Sequence, residues 1–571
     1  MKKITLLLMA VLAWVGSVSA QDAQSPITFN WAHSVDGATD AGDGALGIVK
    51  GTDGDYFVAS TFGTTNSALN IKFDGETLLG LDGKPVEGSP YEGTSMNANL
   101  LLQKVSNTGS IVWNLYSKKG YISDAQFAAT ADGGLVAAVK TRAWYTGAGL
   151  DNLLEIVDGT GATTTIKDMW TSASEYRFLI LKIDADGKLV WSRLAFGDVQ
   201  FKNEVLSDAV AVKDNAKLNS CAVDEAGNVY LAGNFTTSLY FKKEDGTLAT
   251  LVSKNNSKWD GKASTNGDLF LVKLDANGYF VNNLGTDGTA KLAMFDKMVY
   301  NNGKLYLNGR VQSDGAVLKV GDKEVSASTT AQTQILASVN TSDLSVNYVN
   351  VLASEGAVTI QNKNAQFVNG KVYFTGLLKG TWLNGSEKLV STTALNGYVL
   401  EMDPVTGNIS HAVTSGNGIF GIYANDKVIY AFGYAASKAV LTPISVDTWK
   451  AETAIPVCTY GTIAIMGTPA IDGDNLVMMT RGGKARSNVD ATFAGTDKTF
   501  NLYAWGVVYF SYNLNSSTSG INSAKVNTEK TMVDVYTIDG IFVKKANSLD
   551  EAKQGLEKGI YIFGNQKIVI E

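Results

Sequence analysis

The chain has 571 residues, more than one ordinary hydrophobic core serves unless that core is a repeat. Hydrophobic residues are 45% and charged residues 18%, which excludes a disordered chain, and 58 glycines against 7 prolines mark many tight turns. A formal charge of −7 without a basic cluster argues against nucleic acid and against charge-driven binding to anionic lipid.

In chain order, the first segment is MKKITLLLMAVLAWVGSVSA. Lys2 and Lys3 precede an apolar run from Ile4 to Val15, and Val18-Ser19-Ala20 offers small residues for cleavage. Residues 1–20 therefore read as a signal peptide, with Gln21 as the mature start. No Cys follows the run, so a lipoprotein anchor is not expected. No later segment has enough consecutive apolar residues for a transmembrane helix.

From Gly54 onward one pattern returns seven times: a turn residue, a polar residue, then a short strand. It reads GDYFVAS at Gly54, GGLVAAV at Gly133, GNVYLAG at Gly227 and GKLYLNG at Gly303. GKVYFTG at Gly370, DKVIYAFG at Asp426 and GDNLVMM at Gly473 complete the series. Asp-Gly and Asn-Gly before these strands suit the φ > 0 positions of hairpin turns. A second pattern places a Gly turn between two strands: NLLLQKVSNTGSIVWNL, RFLILKIDADGKLVWSRL, DLFLVKLDANGYFVNNL and, more loosely, GYVLEMDPVTGNISHAV. A four-stranded propeller blade takes about 40–50 residues. The predicted fold is therefore all-β, a seven-bladed β-propeller over residues 21–512, with six or eight blades as alternatives. Loop insertions are expected near 141–175 and 252–268. Helices are expected to be short at most, the best candidate being SLDEAKQGLEKG from Ser548.

GNVYLAGNFTTSLYF followed by GDLFLVKLDANG, with partial copies in the first two repeats, resembles bacterial β-propeller repeat proteins of the SBBP type. That resemblance implies the fold and leaves the ligand open. After a linker at 513–528, residues 529–571 carry VDVYTIDGIFVKKA and KGIYIFGNQKIVIE. This segment resembles the C-terminal sorting domains of the Por (type IX) secretion system, and the motif positions are Val535, Tyr536, Gly540, Gly559 and Tyr561. The resemblance implies a small β-sandwich-like domain, passage through the type IX machinery, and an extracellular or outer-membrane surface location in a Gram-negative bacterium. The periplasm is the alternative.

The scarcity of histidine narrows the chemistry. His33 and His411 stand alone, outside any H-x-x-x-H or H-E-x-x-H string, so no metal site is expected. There is no G-x-S-x-G elbow, and Cys221 and Cys458 both sit in strand-like runs as small buried side chains. Asp184-x-Asp186-Gly187 and Asp275-x-Asn277-Gly278 look like starts of calcium loops, but Ala195 and Thr286 stand where the closing Glu belongs. Hairpin turns explain both better. RGGKARSN at Arg481 is read as a loop rather than a phosphate cradle. No catalytic residue and no cofactor are assigned. Trp113 and Trp191 follow the hairpin turn at matching positions and read as structural.

The positive hint of a ligand is aromatic. Trp144, Tyr145 and Trp170 in one insertion, Trp259 in another, and Trp382 in GTWLNGSEK could stack on sugar rings or anchor a protein. The leading expectation is a secreted or cell-surface binding or scaffold protein presenting loops to a glycan or protein partner. The alternatives are a carbohydrate-active propeller enzyme with paired carboxylates at the axis, and a structural or adhesion component of the surface.

Overall fold

Strands dominate because the repeats supply short apolar runs between φ > 0 glycines. The computed structural model describes residues 27–514 and much of 533–570. Within 27–514 the longest segments outside the description are 38–42, 65–68, 89–96, 168–175, 202–208, 212–215 and 255–266. Residues 1–20, which the sequence reading assigns to a signal peptide, and most of the expected linker lie outside it, as does most of SLDEAKQGLEKG. The chain divides into two units, Ile27–Leu514 and the terminal segments that include Asn515–Glu571.

The larger unit is a β-propeller. Its described strands form successive four-stranded antiparallel groups. The first is Gly44–Lys50, Tyr56–Thr64, Asn97–Val105 and Ile111–Ser117. The second is Tyr121–Ala129, Leu135–Arg142, Tyr176–Ile183 and Leu189–Gly197. The third is Lys217–Val223, Val229–Phe235, Asp268–Leu274 and Phe280–Asp287. The fourth begins with Ala290–Asn301, Lys304–Ser313 and Thr333–Asn340.

The fourth and fifth groups share one long strand, Val346–Val368. Its first part pairs with Thr333–Asn340 and its second part with Lys371–Asn384. Glu387–Met402 and Ile409–Ser415 complete the fifth group. The sixth is Gly418–Ala424, Val428–Ala435, Lys438–Ser445 and Ile455–Tyr460. In the last group Ala470–Asp472, Asn475–Phe493 and Thr499–Asn513 are joined by the first strand of the unit, Thr28–Asp36. The beginning of the unit thus closes its last sheet.

Every copy of the short repeat is the second strand of its group. That position has sheet neighbours on both sides and packed sheets on both faces. Tyr56–Thr64 and Val229–Phe235 are accordingly buried at every residue. An unbroken apolar run is the sequence form of such a strand.

A second device joins consecutive groups. The Trp113 ring on the outer strand of the first group lies under Gly187, and its Nε1 donates to Ala185 O at 3.0 Å. Trp191 does the same to Gly278 and Ala276 O, at 3.0 Å. Trp31 on the closing strand does so to Gly109 and Asn107 O, at 3.1 Å. At the later junctions Asn282 donates to Asp343 O at 3.1 Å, Tyr348 donates to Pro404 O at 3.3 Å, and His411 stacks on Trp449 at 4.4 Å. The turn between third and fourth strands is therefore also a socket for the preceding group. Trp113 and Trp191 are structural, as their placement after the turn indicates.

The insertions protect sheet edges. Leu153–Val157 and Thr163–Lys167, from the second group, form a hairpin that pairs with the outer strand of the first, Ile156 opposite Ser117. Ser238–Lys242 and Leu248–Val252 extend the second group in the same way, and Leu318–Val320 with Lys323–Val325 the third. Lys72–Phe73 and Glu76–Thr77 extend the closing strand. Each hairpin comes from the connection between second and third strands of the following group. It covers N–H and C=O groups that an open edge would expose.

The C-terminal unit has a four-stranded antiparallel sheet ordered Phe542–Ala546, Val533–Thr537, Gly559–Phe563, Gln566–Ile570. Val535 is buried in it, and Tyr536 meets Phe542 edge-on at 5.5 Å. Tyr561 pairs with Thr537 and with Ile568, so the strand of Gly559 and Tyr561 is central. Gly540 lies outside the described residues.

Candidate functional site: the axial channel

The first strand of each group is innermost, and these strands surround a channel. Antiparallel order puts the turns between strands one and two, and between three and four, on one face of the propeller. The insertions and the links between groups emerge on the other. A cavity of about 800 Å³ opens toward the turn face, lined among others by Lys50, Asn364, Gln366, Asn369, Tyr423, Asn425, Thr468 and Asp474. A second, of about 440 Å³, is lined by Leu46–Lys50, Ala125–Ala129, Ser220–Val223, Lys297–Tyr300, Asn364, Ala365 and Thr468. Ile48, Val49, Lys50, Val299, Asn364, Ala365 and Thr468 line both, so the two cavities adjoin along these residues.

Side chains stitch the inner strands together. Gln366 donates to Ile422 O at 3.0 Å and accepts from Ile422 N at 2.8 Å. Asn219 donates to Phe295 O at 2.8 Å, Ser220 accepts from Met298 N at 3.1 Å, and Ile48 N donates to Thr468 O at 2.9 Å. Lys50 and Asp472 form an ion pair by the turn-face opening. Tyr423 donates to Asp474 at 2.8 Å.

Lys297, in the lining of the second cavity, is differently placed. Lys297 donates to Gln126 Oε1 at 3.1 Å and to Asn219 O at 2.8 Å, both neutral acceptors. Burial pushes its pKa down, opposed by Asp124 and Asp296 and reinforced by Lys363. Burial likewise lowers Lys363, with Arg310 adding repulsion; its ammonium lies 5.4 Å from the centre of the Phe420 ring. Asp124 is raised by desolvation, against the pull of Lys297 and Lys140. Asp296 is committed to Arg310, which donates to both of its oxygens at 2.8 Å, and to Asn362. Among the described residues lining the two cavities, Asp474 is the one carboxylate. No group of three or more His, Cys, Asp or Glu able to hold a metal occurs among the described residues.

The residues singled out by sequence lie elsewhere. Trp382 is fully buried against Tyr398, rings 4.9 Å apart and edge-on, so it cannot stack on a ligand. The apolar cluster of Val358, Ile360 and Tyr398 draws the ring inward, where the flanking Gly and Asn had indicated a loop. Trp144 and Tyr145 form a short ladder with Asp151 and Leu150. Trp170 and Trp259 lie outside the described residues. RGGKARSN is not a loop: it belongs to the strand Asn475–Phe493, interrupted by a bulge between Gly483 and Asn488. Arg481 there lies over Trp505 at 5.2 Å.

His33 bridges Asp74 at 2.7 Å and Gly109 O at 2.6 Å on the closing strand, well outside the channel lining. Asp184 and Asp275 cap their own turns, each accepting two backbone N–H groups, as hairpin carboxylates do. Cys221 and Cys458 are free and buried, and burial pushes the Cys221 thiol up to about 12. The place of Lys297 in the lumen could not be found from sequence, because its partners Gln126 and Asn219 come from other groups.

No protein-family model matches the chain, and no curated protein matches it in sequence. Solved structures similar to it include the Dos1 propeller, at TM-score 0.38 and 10% identity, covering 86% of this chain and 95% of that one. A europium-containing methanol dehydrogenase has TM-score 0.37 and 10% identity over 86% of this chain and 93% of its own. The β-propeller domain of the Trilobed protease from Pyrococcus furiosus has TM-score 0.30 and 9% identity over 68% and 97%. These likenesses carry no argument about a ligand. The class is set by this chain's own sheets: an all-β propeller followed by a separate small β-sheet unit.

Proposed function

We propose that the chain is a seven-bladed, secreted or cell-surface binding protein whose axial channel receives its ligand. The seven copies of the short repeat and the four-stranded groups support the blade number. The leader at 1–20 and the sorting-like tail with Val535, Tyr536, Gly540, Gly559 and Tyr561 support export, with the type IX machinery as the route and the outer surface as the destination. The observation that carries the binding reading is the channel itself: a cavity of about 800 Å³ reached from the turn face, where amides, Tyr423 and Lys50 stand among apolar residues such as Val299, Phe367 and Ile471. Ligand sites favour such concave places with a few convergent polar groups. The ligand is a glycan end or a short protein segment.

Glycosidase chemistry would need two carboxylates facing each other across the cavity. Asp474, hydrogen-bonded to Tyr423, has no second carboxylate among the lining residues. Stacking on Trp144, Tyr145, Trp170 and Trp259 is the second binding reading, drawn from their polar, Gly-rich insertions.

Glycan arrays and pull-downs with the chain from Gln21 test both. Ala365 is nearly buried and lines both cavities, so Ala365→Trp obstructs the place where they adjoin. Loss of binding in that variant, with retention in Trp144→Ala and Trp259→Ala, supports the channel. The reverse pattern overturns it.

A further inference from the structure

Another cavity, of about 380 Å³, lies against the outer strand of the first group and shares no lining residue with the two channel cavities. Three pieces of chain build it. Strand alternation puts Val112, Asn114 and Tyr116 on one face of Ile111–Ser117, and all three line the cavity. The turn from Leu78 to Val86 supplies a second side, closed by Val86 N to Leu78 O and Gly80 N to Lys84 O, both at 2.8 Å. The hairpin of Leu153–Val157 and Thr163–Lys167 supplies the third, with Val157, Gly161 and Thr163.

Much of the lining is apolar. Leu79, Leu81 and Val112 all face solvent over more than half of their surface, and all three border this one hollow. Single exposed apolar side chains are ordinary, whereas a group of them around a concavity marks a contact site.

Two polar groups on the same strand face have no use inside the protein. Tyr116 is 8% exposed and packs with Val86 and Val157, yet its hydroxyl has no hydrogen-bond partner among the described residues. Unlike the sealed Tyr56 hydroxyl, it keeps accessible surface. A Cβ at Gly80 would stand 3.8 Å from that oxygen, so the glycine leaves room over it. Asn114 Oδ1 accepts from Gln103 Nε2 at 2.8 Å, and Gln103 Oε1 accepts from Tyr509 at 2.9 Å, which fixes the amide. Its Nδ2 has no acceptor among the described residues. A nearly buried polar side chain without a partner points to something that supplies one.

We propose that this pocket binds a small neutral molecule made of an apolar ring or chain and one hydroxyl, as in a phenol. An amide N–H donates and a tyrosine hydroxyl both donates and accepts, so a ligand hydroxyl can accept from Asn114 and donate to Tyr116. An anion meets Asp82 and Asp158 against the one ammonium of Lys118, which lies 5.9 Å from the centre of the Tyr116 ring. Burial, then the charges of Asp82 and Glu87, push the Tyr116 pKa up, so its hydroxyl keeps its proton. The volume is ample, since a cavity of about 150 Å³ already takes a benzene ring.

Ligand-observed NMR in sealed tubes, with p-cresol, toluene and p-toluate on the chain from Gln21, tests this. p-Cresol binds best, toluene about fivefold more weakly for want of the hydroxyl, and p-toluate more weakly than p-cresol. Tyr116→Phe lowers p-cresol to the affinity of toluene and leaves toluene unchanged. Leu81→Ser, at an exposed position, weakens both at least about threefold with the unfolding midpoint retained. Ala365→Trp, which obstructs the channel, leaves p-cresol binding unchanged. Toluene or p-toluate binding as tightly as p-cresol overturns the ligand class. Unchanged p-cresol affinity in both Tyr116→Phe and Leu81→Ser, or its loss in Ala365→Trp, overturns the site.

Discussion

Gly109 is the position where the ring closure is most exposed to a single methyl group. It sits at φ +92° in the turn after Asn97–Val105, with the Trp31 ring directly against it. A Cβ there would lie 2.6 Å from Trp31 Cγ and 3.0 Å from Trp31 Cβ, atoms too near the backbone of the closing strand to swing away. Trp31 is 8% exposed and its Nε1 bond to Asn107 O is part of the same contact, while His33 holds Gly109 O. Gly246 is the control: φ +84°, with nothing within 4 Å of its Cβ.

Both alanine variants carry the left-handed backbone cost of about 1–2 kcal/mol. Only Gly109→Ala adds overpacking of about 1–3 kcal/mol and a weakened hydrogen bond of about 1 kcal/mol. Gly109→Ala is therefore expected to be less stable than Gly246→Ala by about 2–4 kcal/mol. Urea unfolding followed by tryptophan fluorescence measures the difference, and chymotrypsin, which cleaves after residues such as Phe29 and Trp31, should nick the strand Thr28–Asp36 first in the weaker variant. Equal midpoints would refute the idea that this socket holds the closure.

Asp36 on the closing strand is 7% exposed, its Oδ1 has no partner, and burial pushes its pKa from 3.8 to about 6. A carboxyl with a raised folded pKa favours folding while protonated, so its contribution is present below about pH 4 and lost as pH rises through 6. Asp36→Asn should gain up to about 2–3 kcal/mol at pH 7.5 and nothing at pH 4, read from thermal unfolding at both. Asp43, itself raised by burial and coupled to Asp36, should titrate more easily in that variant. Trp382→Ala should cost about 3–5 kcal/mol in urea without changing ligand affinity, because the ring is wholly in the core. Folded protein should leave Cys221 and Cys458 unreacted with a thiol reagent, and denaturant should expose both, because both thiols are buried.

The strands were legible because hairpin turns advertise themselves. Gly54, Gly133, Gly227, Gly303, Gly370 and Gly473 all take φ > 0, and each precedes the second strand of a group. The tryptophan after the second kind of turn could be recognised as structural, though not that it reaches into the turn of the next group. The closing strand was not visible, since Thr28–Asp36 carries no repeat glycine and its partner lies more than 450 residues away in sequence. Trp382 misled because Gly and Asn beside an aromatic describe a loop as well as a bulged buried strand. The channel residues were beyond sequence for a geometric reason. Lys297, Gln126 and Asn219 belong to different groups, and only closure of the ring brings them to one axis.

The most direct trial of the account is a crystal structure of the chain from Gln21 with a glycan or peptide taken from the binding screen. The account predicts ligand density in the channel, against Lys50, Gln366 and Tyr423. Ligand density on the insertion loops that carry Trp144 or Trp259, with the channel holding none, would contradict it.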